Sequence, residues 1–244
     1  MSTFHDQIIQ IVKDKVHGSN YLLNRLLSIF KNHKNSVRTK DLDWAFDQLG
    51  SMDPALAIIH HFVASLGSNT VPGFYKQLDT YMADWSNIEH VLANKLKETV
   101  DLENKTILTH SNSGTVQKVL HELFQVDKPF SIIQTKSLPG GEGVIQAESL
   151  KKAGLTVELI EDRKVKQTMS QIDLVVFGCD QYSQQALVNK VGTQAIITEA
   201  INDEIPVVIL ADSRKCVKKI KSIGVLFEKL PMTDSISLIT ERKE

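Results

Sequence analysis

No apolar run in the chain approaches the roughly 18 to 20 residues that a membrane-spanning helix needs, and only two cysteines, Cys179 and Cys216, occur in 244 residues. A helical membrane protein and a disulfide-stapled secreted fold are both set aside. Excess charge of either sign is missing as well: 28 lysines and arginines face 29 aspartates and glutamates, a formal net charge of -1. No global positive field exists to gather nucleic acid or an acidic membrane, so partners are expected among small molecules and proteins. The opening MSTFHDQIIQIVKDKV sets acids among its apolar positions and lacks the unbroken apolar centre of a signal peptide. A reducing, cytoplasmic setting is the expectation. Internal repeats, low-complexity tracts and proline-rich linkers are absent too.

What is present suffices for a sizeable core, with 42% hydrophobic and 23% charged residues. Over residues 1–100 apolar residues recur at helical spacing, as in Phe4, Ile8, Val12 and Val16, then Leu22, Leu23, Leu26, Leu27 and Phe30. This predicts a helical N-terminal domain. Ser19 and the pair Asp53-Pro54 mark helix starts, the segment SNTVPG closes a helix, and a further helical stretch is expected from Phe74 to Val100. After Asn104 the period changes. Short apolar runs (TILTH, PFSIIQT, LTVELI, DLVVFG, PVVILA) alternate with helix-like segments such as TVQKVLHELF and AIITEAIND. The alternation predicts an α/β fold over residues 101–244, a doubly wound, Rossmann-like parallel sheet with helices on both faces.

Ligands of an open parallel sheet bind beyond the carboxyl ends of its strands, where helix N-termini offer free N–H groups to anions. The strand ends carry His110, Ser111, Asn112, Ser113 and Gly114, then Lys136 to Gly143, Glu161-Asp162, Cys179-Asp180 and Asp212 to Lys215. THSNSGTV has the hydroxyl, amide and glycine content that wraps phosphate oxygens, although a plain turn with Ser113 as N-cap explains it equally. It is not a Walker loop, and PGGEG lacks dinucleotide spacing and reads as a turn, so no nucleotide cofactor is expected. Asp180, just past an apolar strand, is placed for partial desolvation and proton transfer, against the alternative that it only turns the chain. Asn189 and Lys190, followed by Gly192 and Thr193 at a helix start, add an amide, a cation and backbone donors. Arg214, Lys215, Lys218, Lys219 and Lys221 read as a wet helical face, with Lys215 near enough to a strand end to touch ligand.

A serine-hydrolase reading of Ser111, His110 and Asp180 fails because Thr109 stands where a nucleophile elbow needs glycine. Metal binding fails too. His60 and His61 are adjacent on a helix and diverge, with no ligand at i+3 or i+4.

ILTHSNSGTV, VFGCDQYSQQALVNKVGTQAIITEA and VVILADSRK together resemble a known family. It unites the initiation factor 2B alpha, beta and delta subunits with methylthioribose-1-phosphate and ribose-1,5-bisphosphate isomerases. The resemblance spans Asn104 to Phe227, and GSNYLLNRLL and DPALAIIHHF extend it faintly into the helical half. It implies a sugar-phosphate site at these strand ends and self-association through the sheet half, where Val225, Leu226 and Phe227 are apolar. For the isomerases it implies a cysteine and an aspartate sharing acid-base work. The aspartate falls at Asp180 and the cysteine at Ser111, whose hydroxyl has no accessible anion near neutral pH. The ligand-facing arginine of the family falls at Leu138, and an Arg-Gly-Ala loop is missing. Two readings follow: a regulatory, non-catalytic binder of a small phosphorylated ligand, either a sugar phosphate or a nucleotide, which the departures favour, and a divergent aldose-ketose isomerase. Membership of an initiation factor 2B complex is a third.

Overall fold

The structure is a computed structural model that describes residues 3–15, 17–67, 70–126, 129–220 and 224–242. Val16, Ser68, Asn69 and Lys221, used in the sequence reading, lie outside the described residues. Six helices come first: α1 (Phe4–Lys13), α2 (Ser19–Asn32), α3 (Thr39–Gly50), α4 (Ala57–Ser65), α5 (Val71–Asp84) and α6 (Ile88–Thr99). Their starts have local causes. Thr3 and Asp6 form a capping box on α1, and Thr70 accepts from the Gly73 N–H to cap α5. The first five helices bury a shared core in which Phe30 lies 4.9 Å from Phe74 and 5.9 Å from Phe62, ring centre to ring centre.

Two helix boundaries differ from expectation. Asp53-Pro54 opens a turn, with the Asp53 carboxylate accepting from the Ala55 N–H, and α4 begins only at Ala57. The stretch from Phe74 to Val100 is two helices, because the chain turns at Trp85–Asn87 to change cores. α6 buries Ile88, Leu92, Ala93 and Leu96 against the sheet's core instead of the helical one.

The remainder runs β1 (Thr106–Thr109), α7 (Gly114–Val126), β2 (Ser131–Thr135), α8 (Glu142–Lys152), β3 (Thr156–Ile160), α9 (Val165–Thr168) and β4 (Leu174–Gly178). β5 (Gln181–Tyr182), β6 (Ala186–Lys190), α10 (Thr193–Asn202), β7 (Val207–Leu210), β8 (Phe227–Pro231) and β9 (Ile236–Ile239) follow. Six strands form one parallel sheet in the order β3-β2-β1-β4-β7-β9. Neighbouring residues along the strands serve opposite faces: Ile107, Val176 and Val208 pack with α7 and α8, while Leu108, Val175 and Ile209 pack with α9 and α10. That two-sided burial is the doubly wound arrangement. The chain leaves β1 toward β3 and returns to β4 on the other side of β1, so the loops after β1 and β4 flank a topological switch point.

Three features escaped the sequence reading, the first being β9 at the edge of the parallel sheet. β5, β6 and β8 make a small antiparallel sheet that puts Asn189 and Lys190 on a strand rather than in a helix approach. The basic cluster is no helical face either: Ser213–Lys215 is a single 3-10 turn with Arg214 and Lys215 buried, and only Lys218 and Lys219 of the described members are exposed. No helix among the described residues is long and apolar enough to cross a membrane.

Candidate functional site

The loop after β1 is held in an unusual shape by its neighbours. Ser111 adopts φ +69°, a left-handed conformation that costs a non-glycine residue on the order of 1 kcal/mol. Two hydrogen bonds hold it there: its N–H donates to Ser137 Oγ at 2.7 Å, and its carbonyl accepts from Gln134 Nε2 at 3.1 Å. Ser113 caps α7, its Oγ accepting from the Val116 N–H. Its own N–H donates to Gln146 Oε1, and Gln146 in turn donates to Gln134 and Thr109. Glycines let two other elements close on this loop. A Cβ at Gly178, the last residue of β4, would stand 2.2 Å from Ser113 Oγ, and one at Gly18, the N-cap of α2, 2.5 Å from the Asn112 carbonyl.

A cavity of about 340 Å³ opens between this loop, the carboxyl ends of β4 and β7, and the start of α2. Ser111, Asn112, Ser113 and Gly114 line one wall. Asp180, Asn189, Lys190 and Lys215 line another. The three remaining expected residues lie behind the wall. His110 Nε2 donates to the Val191 carbonyl at 3.0 Å and Nδ1 accepts from Thr135 Oγ1 at 2.6 Å, while burial pushes its pKa down and keeps it neutral. Gly192, at φ +103°, packs 3.2 Å from the His110 ring measured from its would-be Cβ. Thr193 donates to the Lys190 carbonyl and accepts from Asn189 Nδ2, which fixes the turn between β6 and α10. These three position the site without facing it.

The two lysines are 2% exposed and therefore need partners. Lys190 Nζ stands 2.7 Å from Glu142 Oε1 and also donates to the Pro139 carbonyl. Lys215 Nζ donates to the Cys179 carbonyl at 2.7 Å. Asp180 keeps partial access to the cavity while protein surrounds it elsewhere. Burial pushes its pKa up, against the Lys215 charge and a 3.0 Å hydrogen bond from Ser19 Oγ. Cys179 is next to it, but burial holds that thiol at about 12, so it supplies no thiolate near neutral pH.

Asp14, His17, Ser19, Asn20 and Asp53 from the helical half, and Glu142 from α8, also line the cavity and were missed. The segment GSNYLL carried a faint signal for Ser19 and Asn20; Glu142 stood inside PGGEG, whose glycines read as a turn. Gly18 gives α2 no side-chain cap, and the first turns of α2, at Ser19 and Asn20, and of α7, at Gly114, line the cavity.

A model of the initiation factor 2 subunit family matches residues 23–243. The chain belongs to that family. Over 143 residues, 58% of this chain, it is 32% identical to a ribose 1,5-bisphosphate isomerase of Methanocaldococcus jannaschii, of which the match covers 44%. Over 136 residues, 55% of the chain, it is 31% identical to the translation initiation factor eIF2B subunit alpha of Dictyostelium discoideum, covering 42% of that protein. In these matches the chain spans less than half the length of the curated relatives. Among solved structures, the translation initiation factor eIF-2B of Pyrococcus horikoshii OT3 superposes with a TM-score of 0.86 at 19% identity, covering 98% of this chain and 94% of that one. The tetrameric eIF2B-beta2-delta2 complex from C. thermophilum gives 0.71 at 13% identity, covering 98% and 88%. That likeness shows the fold, a helical N-terminal region followed by a parallel six-stranded sheet. Family membership spans isomerases and translation factors, so the choice between them rests on the site.

Proposed function

We propose that this family member binds a small phosphorylated ligand of the sugar-phosphate class in the cavity at the switch point, as a regulatory binder that does not turn the ligand over. The observation that carries the reading is the convergence on one cavity of two buried lysines, Lys190 and Lys215, with the N-termini of α2 and α7. Buried ammonium groups and oriented N–H groups stabilise an anion that bulk water no longer solvates. Absence of turnover is argued from the proton chemistry. Ser111 offers a hydroxyl where the family resemblance places the thiol, and Cys179 is held protonated by burial. Self-association through the sheet half belongs to the same proposal, and a monomer mass by light scattering would count against it.

A second reading, divergent isomerisation, draws on Asp180, a carboxyl whose raised pKa suits it to proton transfer. Titration calorimetry with ribose phosphates, followed by an isomerase assay, separates the two. Lys215→Met is expected to weaken binding about tenfold or more through loss of a charge-assisted contact of ~1.5–3 kcal/mol. Wild-type turnover is expected to be absent, and Ser111→Cys to restore a slow rate that Asp180→Asn then removes. Fast wild-type turnover abolished by Asp180→Asn would establish the isomerase instead.

A further inference from the structure

We infer that the cavity is built for a ligand with one phosphate and several free hydroxyl groups, and that it discriminates against a bisphosphate; this rests on the reading of the cavity as a sugar-phosphate site. The charges lining it decide the matter. Four carboxylates, Asp14, Asp53, Glu142 and Asp180, line it with three ammonium groups, Lys15, Lys190 and Lys215, and Asp14 is already paired with His17 and Arg25. Lys15 is exposed at the rim, while Lys190 is committed to Glu142 and the Pro139 carbonyl and Lys215 gives one bond to the Cys179 carbonyl. No arginine lines the cavity among the described residues. Arg214, the nearest along the chain to Lys215, is turned away onto Asp212 and the Trp85 ring.

The acidic side also has an acceptor without a donor. Glu142 Oε1 takes Lys190, but Glu142 Oε2 is buried and has no hydrogen-bond partner among the described residues. A buried carboxylate oxygen needs a donor. A ligand hydroxyl supplies one, and a phosphate, which has only acceptors when fully ionised, adds like-charge repulsion in its place. Burial is the main cause of the raised pKa of Asp180, and the Asp53 and Glu142 charges, which line the same cavity, push it the same way. The anion-favouring groups among the described residues, Lys215 and the first turns of α2 and α7, border the same cavity, with Asp180 bonded to Ser19 of α2 and within reach of the Lys215 charge. One phosphate is therefore accommodated there, and the ligand's hydroxyl groups are read by Asp53 and Glu142, since Asp14 already accepts from the His17 N–H and Asp180 from the Ser19 hydroxyl.

The test is titration calorimetry of the full chain with ribose 1-phosphate, ribose 5-phosphate and ribose 1,5-bisphosphate. At least one monophosphate is expected to bind tenfold or more tightly than the bisphosphate. Glu142→Gln and Asp53→Asn, each checked for folding by circular dichroism, are expected to narrow that ratio severalfold by strengthening the bisphosphate. The second variant keeps the test alive where loss of the Lys190 partner prevents folding of the first. A bisphosphate that binds the wild type as tightly as either monophosphate overturns the inference and leaves the sugar-phosphate reading standing. A ratio unchanged in every folded variant also overturns it, since the carboxylates then play no part. Failure of all three ribose phosphates to bind folded wild type removes the sugar-phosphate reading itself, and this inference with it.

Discussion

Ser19, the first residue of α2, donates its hydroxyl to Asp180 Oδ1 at 3.0 Å across a separation of 161 positions in the chain. Through this bond the helical half completes a site whose other groups come from strand ends. Ser19 can reach because Gly18 precedes it: a Cβ there would collide with the Asn112 carbonyl and hold the start of α2 off the loop. The serine that the sequence offered as a helix-start signal is spent on a carboxylate instead, and α2 begins with no side-chain cap.

Asp180 makes stability depend on pH in a predictable direction. Burial raises its folded-state pKa, so its favourable contribution is complete below the ordinary aspartate value of 3.8 and is lost as pH rises toward and through the folded value. Asp180→Asn, which resembles the protonated form, is expected to raise the melting temperature at pH 7 by a few degrees and to bring no gain near pH 3. Thermal denaturation of both proteins across that range checks the sign; a variant less stable than wild type at neutral pH contradicts it.

Asp212 behaves in the opposite way. Burial opposes its ionisation, but the paired Arg214 guanidinium overcomes this and holds the carboxyl below its ordinary value. That stabilisation is present above 3.8 and is lost as pH falls through the lower folded-state value. Arg214 is stacked 4.5 Å over the Trp85 ring, so the pair also joins the sheet to the helical half. Arg214→Met strands a buried carboxylate and is expected to cost about 3–5 kcal/mol in urea denaturation, with Asp212→Asn in the same chain recovering part of it. A loss under 1 kcal/mol would mean that water reaches Asp212.

Gly178 and Gly50 should respond oppositely to alanine. A methyl at Gly178 meets Ser113 Oγ and Cβ and must displace the loop, at an expected cost of about 1–3 kcal/mol together with weaker ligand binding. A methyl at Gly50, at the end of α3, meets nothing within 4 Å and is expected to add about 0.4–1 kcal/mol by restricting the unfolded chain. Equal effects of the two substitutions would show that the Ser113 contact is slack.

The central strands were legible because strands covered on both faces must be apolar at nearly every position, and β4 and β7 are buried throughout, whereas β3, an edge strand with Thr156 and Glu158 exposed, was found from its β-rich run. β8 and β9 were not. FEKLP has one buried residue, and ISLI, at the sheet edge, buries only its two ends, so neither shows an unbroken apolar run. The switch-point loop was legible from composition, and eight of the eleven expected site residues line the cavity. His110, Gly192 and Thr193 were placed one layer too far forward, since a polar residue at a strand end satisfies equally well a ligand or the protein's own carbonyls and hydroxyls.

Local pattern by itself determined the helical first half, the parallel doubly wound second half and the strand ends at which a ligand would sit, because the side-chain period and burial of each segment are written in its own residues. Only the tertiary structure decided that Ser19, Asp53 and Glu142 join Asp180, that Lys190 is paired and that Arg214 faces Trp85. Those choices depend on which buried charges find partners from distant segments, and the penalty for an unpaired charge in a dry interior acts only after the chain has folded.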